Sequence, residues 1–135
     1  MVERSAPACL DRTQNVSTSN PSAKQAQSAA LAIREINHET FDWRSLPFPP
    51  MVSEIVQPLV SMLDRLPQTL EQLAAVVRRQ QAAGLIRMDD GTDSEEAATS
   101  VVRQLGAASE ALQEGSQLLH RAASILFSFG TETSA

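Results

Sequence analysis

The sequence predicts an all-α protein: a long antiparallel helical hairpin of coiled-coil type, preceded by a short helix and a disordered N-terminal tail. Three observations carry this expectation. Two long stretches, 52–77 and 98–129, repeat aliphatic residues at alternating spacings of three and four, which keeps one seam turned toward a partner helix. A turn signature, Asp89-Asp90-Gly91, lies between them. The composition is 42% apolar but only 4% aromatic, with no Tyr, so any core is built from Leu, Val, Ile and Ala, the residues of helix packing.

Residues 1–22 are rich in Ser, Thr, Asn, Pro and Gln with isolated apolar positions, too few to offset the entropy of ordering, and are expected to be a disordered tail. Cys9 is the single cysteine, so no intrachain disulfide forms. Residues 23–50 are expected to hold a short helix and a Pro/aromatic linker. The helix, over about 22–37, places Ala26, Ala29, Ile33 and Ile36 near one face, with Ser22 as its cap. The linker that follows gathers Phe41, Trp43 and Phe48 among prolines in an extended strip. Such a strip either covers one end of the helical core, the favoured reading, or docks a partner.

The hairpin is expected over 51–130, with 131–135 as a tail. The first seam reads Val52, Val56, Leu59, Leu63, Leu66, Leu70, Leu73 and Val77. Pro67 should kink this helix or split it after Leu66, whereas Pro58 lies nearer the start, where the penalty is smaller. A second helix should begin near Asp93, because Thr92 with Glu95, or Asp93 with Glu96, can form a capping box, and acidic residues suit a helix N-terminus. Its seam reads Ala98, Val101, Leu105, Ala108, Leu112, Gly115, Leu119, Ala122, Leu126 and Phe129, with Gly130 as a stop. Gly115 makes sense if the facing backbone comes close there.

Both helices carry apolar residues beside these seams. Ile55, Val60, Met62 and Val76 on the first, and Val102, Leu118 and Ile125 on the second, widen the stripe beyond what one neighbour covers. These seven, with Trp43 and Phe48 of the linker, are the candidate partner-binding residues. The partner expected is helical, either another copy or a different protein.

A net charge of −5 and scattered Arg residues argue against nucleic acid, and the Arg78-Arg79 doublet reads as a solvated helix face. No apolar run approaches the roughly 18 residues that span a bilayer. The N-terminus lacks a signal-peptide pattern, so the expected location is the cytoplasm, or outside the cell without a signal peptide. No phosphate loop, nucleophile elbow or ligand-spaced Cys/His set is present, so neither catalysis nor a cofactor is expected. Glu35 and His38 have the spacing of two ligands on one helix face in carboxylate di-iron bundles, and a metal-dependent enzyme using Glu35, His38 and Glu39 is the distant alternative. That site would need further inward carboxylates, and Glu54, Asp64, Glu71, Glu110 and Glu114 all fall outside the seams. His120, next to Leu119, is expected at the edge of the interface, where a pH-dependent contact could form.

The two long Ala/Leu/Gln/Glu helices, and above all Ala107-Ala108-Ser109-Glu110-Ala111-Leu112-Gln113-Glu114, resemble the small helical-hairpin proteins of type VII secretion over about residues 52–129. That resemblance implies an antiparallel hairpin that pairs with another hairpin and leaves the cell without a signal peptide. The Trp-x-Gly bend of those proteins is here Asp89-Asp90-Gly91, Trp43-Arg44-Ser45 lies before the hairpin, and the Tyr-x-x-x-Asp or Glu export signal has no counterpart. The expected function is therefore a non-enzymatic helical interaction module, such as one half of a secretion-related heterodimer. A structural homo-oligomer, a four-helix dimer, is the alternative.

Overall fold

The structure, a computed structural model, describes residues 20–133. The tail expected over 1–22 lies outside the described residues as far as residue 19, while Pro21 and Ser22 are helical. The described residues are helical, with turns between helices and no strand. The chain divides into two units, Met1–Leu46 and Pro47–Ala135.

In the first unit, α1 spans Pro21–Glu39. Asn20, not Ser22, is its cap: Asn20 Oδ1 accepts the Ala23 N–H at 3.1 Å, and Pro21 takes the first helical position, where a missing N–H costs nothing. At the other end the Thr40 N–H and hydroxyl both donate to the Ile36 carbonyl, at 2.9 and 2.7 Å. The residues after it are folded, not extended. Asp42 Oδ1 accepts from the Arg44 N–H at 3.0 Å and starts a 3₁₀ turn, Trp43–Ser45, which the Ser45 hydroxyl ties to the Glu39 and Asp42 carbonyls at 2.7 and 2.8 Å. An Asp at the head of a turn supplies local partners that a reading of the prolines alone does not include.

In the second unit, Pro49-Pro50 opens α2, Pro50–Ala82, and α3 spans Ser94–Leu126. Each has 33 residues and is about 50 Å long. They run antiparallel, for as numbers rise along α2 they fall along α3: Asp64 bonds Ser116 and Glu71 bonds Ser109. The connection is built from local chemistry. Gly84, at φ +70°, ends α2 with the Leu85 N–H on the Gln80 carbonyl at 2.9 Å and its own N–H on Gln81 at 3.0 Å, the paired bonds of a left-handed helix stop. Asp90 Oδ1 then accepts from the Thr92 N–H and hydroxyl at 3.0 and 2.7 Å, and Gly91 supplies φ +80° at the expected bend. Asp93 caps α3 by accepting the Glu95 N–H at 3.1 Å, with Glu95 and Glu96 in the first turn.

Two expectations about helix limits are corrected. α2 does not split after Leu66 but continues through both Pro58 and Pro67. Each proline removes one ladder bond, while packing on either side of it holds the helix against the same neighbour. α3 ends at Leu126, before the expected Phe129. Successive N–H bonds from Ser128 and Phe129 to carbonyls three residues back tighten the chain there, and Phe127 and Phe129 are exposed.

The seam itself is rotated from the expected one. The column Val56, Leu63, Leu70, Val77 faces α3 as expected, at intermediate exposure. Its companions are Val60, Pro67 and Ala74, one residue beyond Leu59, Leu66 and Leu73, and they are the buried residues of α2. On α3 the expected column from Ala98 to Leu126 is likewise kept. Its companions are Val102, Ser109, Ser116 and Ala123 instead of Val101, Ala108, Gly115 and Ala122. On α2 the exchange replaces Leu59, Leu66 and Leu73 by the smaller Val60, Pro67 and Ala74, which lets the helices approach closely and turns the leucines outward, whereas on α3 it brings in Ser109 and Ser116, which are no smaller than Ala108 and Gly115. The resulting core is lean: Val60, Ala74, Ala98 and Ala123 are its buried apolar residues, and no large side chain among those described is fully buried.

Candidate functional site

Rotation of the seam gives the hairpin two unlike faces. On one flank, Asp64 and Glu71 of α2 lie seven residues apart and meet Ser109 and Ser116 of α3, also seven apart. The Ser116 hydroxyl donates to Asp64 Oδ1, and Ser109 Oγ lies 3.3 Å from Glu71 Oε1 and 3.4 Å from the Pro67 carbonyl. His120 Nε2 stands 3.0 Å from both oxygens of Asp64, so that nitrogen carries the proton. The expected place of His120 at the interface edge is where it lies. Asp64 and Glu71 are exposed but not idle: Asp64 is the partner of the buried Ser116 hydroxyl, and Glu71 shares the buried Ser109 hydroxyl with the Pro67 carbonyl.

Asp64, Ser116 and His120 are the residue types of a nucleophilic triad in a different order. The carboxylate stands between hydroxyl and imidazole, His120 bonds Asp64, and Ser116 is buried at 6% exposure with its proton committed. This is a polar clamp between two helices, not an activated nucleophile. The matching seven-residue spacings of Asp64/Glu71 and Ser109/Ser116 are the signal in the sequence that would have revealed it.

The Ser116 hydroxyl, followed by the His120 hydrogen bond, holds the Asp64 carboxyl below the usual carboxylate range. A carboxyl whose folded pKa is depressed adds stability above its unfolded pKa, and that stability is lost as the pH falls through the folded value. Asp42, held low by Arg44, and Asp90, held low by Thr92, behave alike. Acid titration of helicity should therefore show a destabilisation below the ordinary carboxylate range that is shallower in Asp64→Asn than in the native chain. Equal slopes would mean that the clamp contributes nothing.

The opposite flank is apolar. The columns left outside the seam are Leu59, Leu66, Leu73 with Ile55, Met62, Thr69, Val76 on α2, and Val101, Ala108, Gly115, Ala122 with Gln104, Ala111, Leu118, Ile125 on α3, apolar but for Thr69 and Gln104. Because the columns of Asp64 and His120 meet on the polar side, the columns on the other side of each seam flank one common face. Leu118 and Ile125 are 62% and 65% exposed, and Leu73, Val76 and Val101 are exposed as well. Ile55, Met62, Leu59 and Leu66 are half-buried.

The candidate partner-binding residues thus divide. Ile55, Met62, Val76, Leu118 and Ile125 lie on the apolar face. Val60 does not: at 6% exposure it belongs to the α2–α3 seam, as does the half-buried Val102, because the hairpin closes on the columns that contain them. Trp43 in the first unit and Phe48 in the second are 78% and 56% exposed. Gly115 is also corrected, since a Cβ placed there meets nothing within 4 Å and the α2 backbone is not close. Glu35, His38 and Glu39 are exposed on α1, and no three His, Cys, Asp or Glu side chains converge into a metal-holding group among the described residues. No described helix is long and apolar enough to cross a membrane.

Fold and faces together define a protein of antiparallel two-helix hairpin class, polar on one flank and apolar on the other. Compared with known proteins, the chain matches no family model, no curated protein and no solved structure.

Proposed function

We propose that the protein is a non-enzymatic helical interaction module that receives a helical partner on the apolar face of its hairpin. The observation that carries this reading is the exposure of Leu118 and Ile125 on a face continuous with Leu73 and Val101. Scattered apolar residues are ordinary on a protein surface, but aligned columns along two adjacent helices form a groove for another helical surface. Secretion as one of a pair of hairpins is the specific form of this role that the type VII resemblance implies. In its favour are the antiparallel architecture and the unlike flanks.

Leu118→Glu tests the reading. A carboxylate at an exposed position leaves the helicity of the isolated chain nearly unchanged, within about 0.5 kcal/mol of the native stability, while complex formation is abolished. Circular dichroism and affinity capture read the two effects separately. If the isolated chain unfolds instead, Leu118 is internal and the reading fails.

A further inference from the structure

We infer that the occupant of the apolar face is a second copy of this chain, the two hairpins forming an antiparallel four-helix bundle whose two-fold axis runs parallel to the helices. This rests on the reading of that face as a docking surface and names its partner. The argument is self-complementarity, which a face built for an unrelated partner has no reason to show.

Within the hairpin, Asp64 meets Ser116 and Glu71 meets Ser109, so facing residues have numbers with a constant sum. A two-fold axis along the helices places α2 of one copy beside α3 of the other at that same level. Within one residue of that level, Leu66 then faces Gly115 of the second copy and Leu73 faces Ala108: a column of large side chains on one helix meets a column of small ones on the other. Farther out, Met62 meets Leu118 and Ile55 meets Ile125, so the most exposed apolar residues of α3 find apolar partners at their own level. Bordering this second seam, Arg65 and Glu114 come within one residue of the same level with opposite charges, and neither is in an ion pair among the described residues. Gly115 gains a reason as well. Nothing within the chain lies within 4 Å of a Cβ there, and mid-helix glycine is unfavourable, but an incoming Leu66 from a second copy would use that space.

The size of the face is sufficient. Two helices about 50 Å long and about 10 Å apart present a surface about 20 Å wide, or about 1,000 Å² on each partner, against the roughly 800 Å² per partner of a stable interface.

Sedimentation equilibrium of the full chain at micromolar concentration should give twice the 14.6 kDa chain mass. A cross-linking experiment tests the geometry without depending on a disruptive variant. In a Cys9→Ser background, oxidation of Met62→Cys chains mixed with Leu118→Cys chains should give several-fold more mixed disulfide than Met62→Cys with Gln117→Cys, whose position turns off the face. A dimer that cross-links equally at both positions overturns this arrangement. A monomer overturns self-pairing, and Leu118→Glu then separates the two failures: retained helicity leaves the face as a docking surface for another protein, whereas unfolding shows that the chain covers it internally.

Discussion

Replacing Ala74 by Asp unfolds the hairpin, whereas Leu73→Asp, one residue earlier, leaves it folded. Ala74 is 4% exposed in the α2–α3 seam, and a larger side chain there forces the helices apart, at about 1–3 kcal/mol for overpacking. The carboxylate adds about 1–3 kcal/mol or more for a buried polar group without a partner. A combined loss of about 2–6 kcal/mol is a large share of the roughly 5–15 kcal/mol that holds a domain together, and this core is a lean one. Leu73 is 49% exposed on the apolar face, so a carboxylate there remains in water within the monomer. Thermal melts followed by circular dichroism should show a cooperative transition for Leu73→Asp and none, or one shifted far down, for Ala74→Asp. The opposite ranking would restore the seam read from spacing and remove the apolar face with it.

Pro58→Ala is expected to stabilise the hairpin by about 3 kcal/mol, the difference between proline and alanine inside a helix. From the sequence, Pro58 was expected near the helix start, with a small penalty. Because α2 begins at Pro50, Pro58 lies in its third turn, and its missing N–H leaves the Glu54 carbonyl without its ladder bond. Pro58 is exposed, so nothing is lost in packing. Pro67→Ala should give a smaller gain, because its ring is buried against α3 and removal of two methylenes costs about 1.6 kcal/mol at roughly 0.8 kcal/mol each. Denaturant midpoints would rank Pro58→Ala above Pro67→Ala, both above the native chain. An unchanged midpoint for Pro58→Ala would show that α2 is not a continuous helix.

The rotated seam and the polar clamp have one origin. The apolar arc of α2 covers four adjacent columns, and the spacing rule selects its centre, the columns of Leu63 and Leu66. The hairpin instead closes on one edge of the arc, pairing the column of Leu63 with that of Pro67, and so leaves the other edge for a second neighbour. Ser109 and Ser116 sit in the closing column because Asp64 and Glu71 are within reach to satisfy them. Val60 was misplaced among the exposed candidates for the same reason, while Leu118 and Ile125, on the far edge of α3, are exposed.

Local chemistry in the sequence was enough to determine two long helices, a helix start near Asp93, the glycine-dependent bend and the surplus of aliphatic surface, since each depends on residues within a turn or two of one another. Which columns close the hairpin, which face is left apolar, and that Asp64 joins Ser116 to His120 were decided only in three dimensions. A helical repeat records which residues share a side of one helix, whereas the depth of approach between two helices depends on the side-chain volumes of both, summed at every level of the seam.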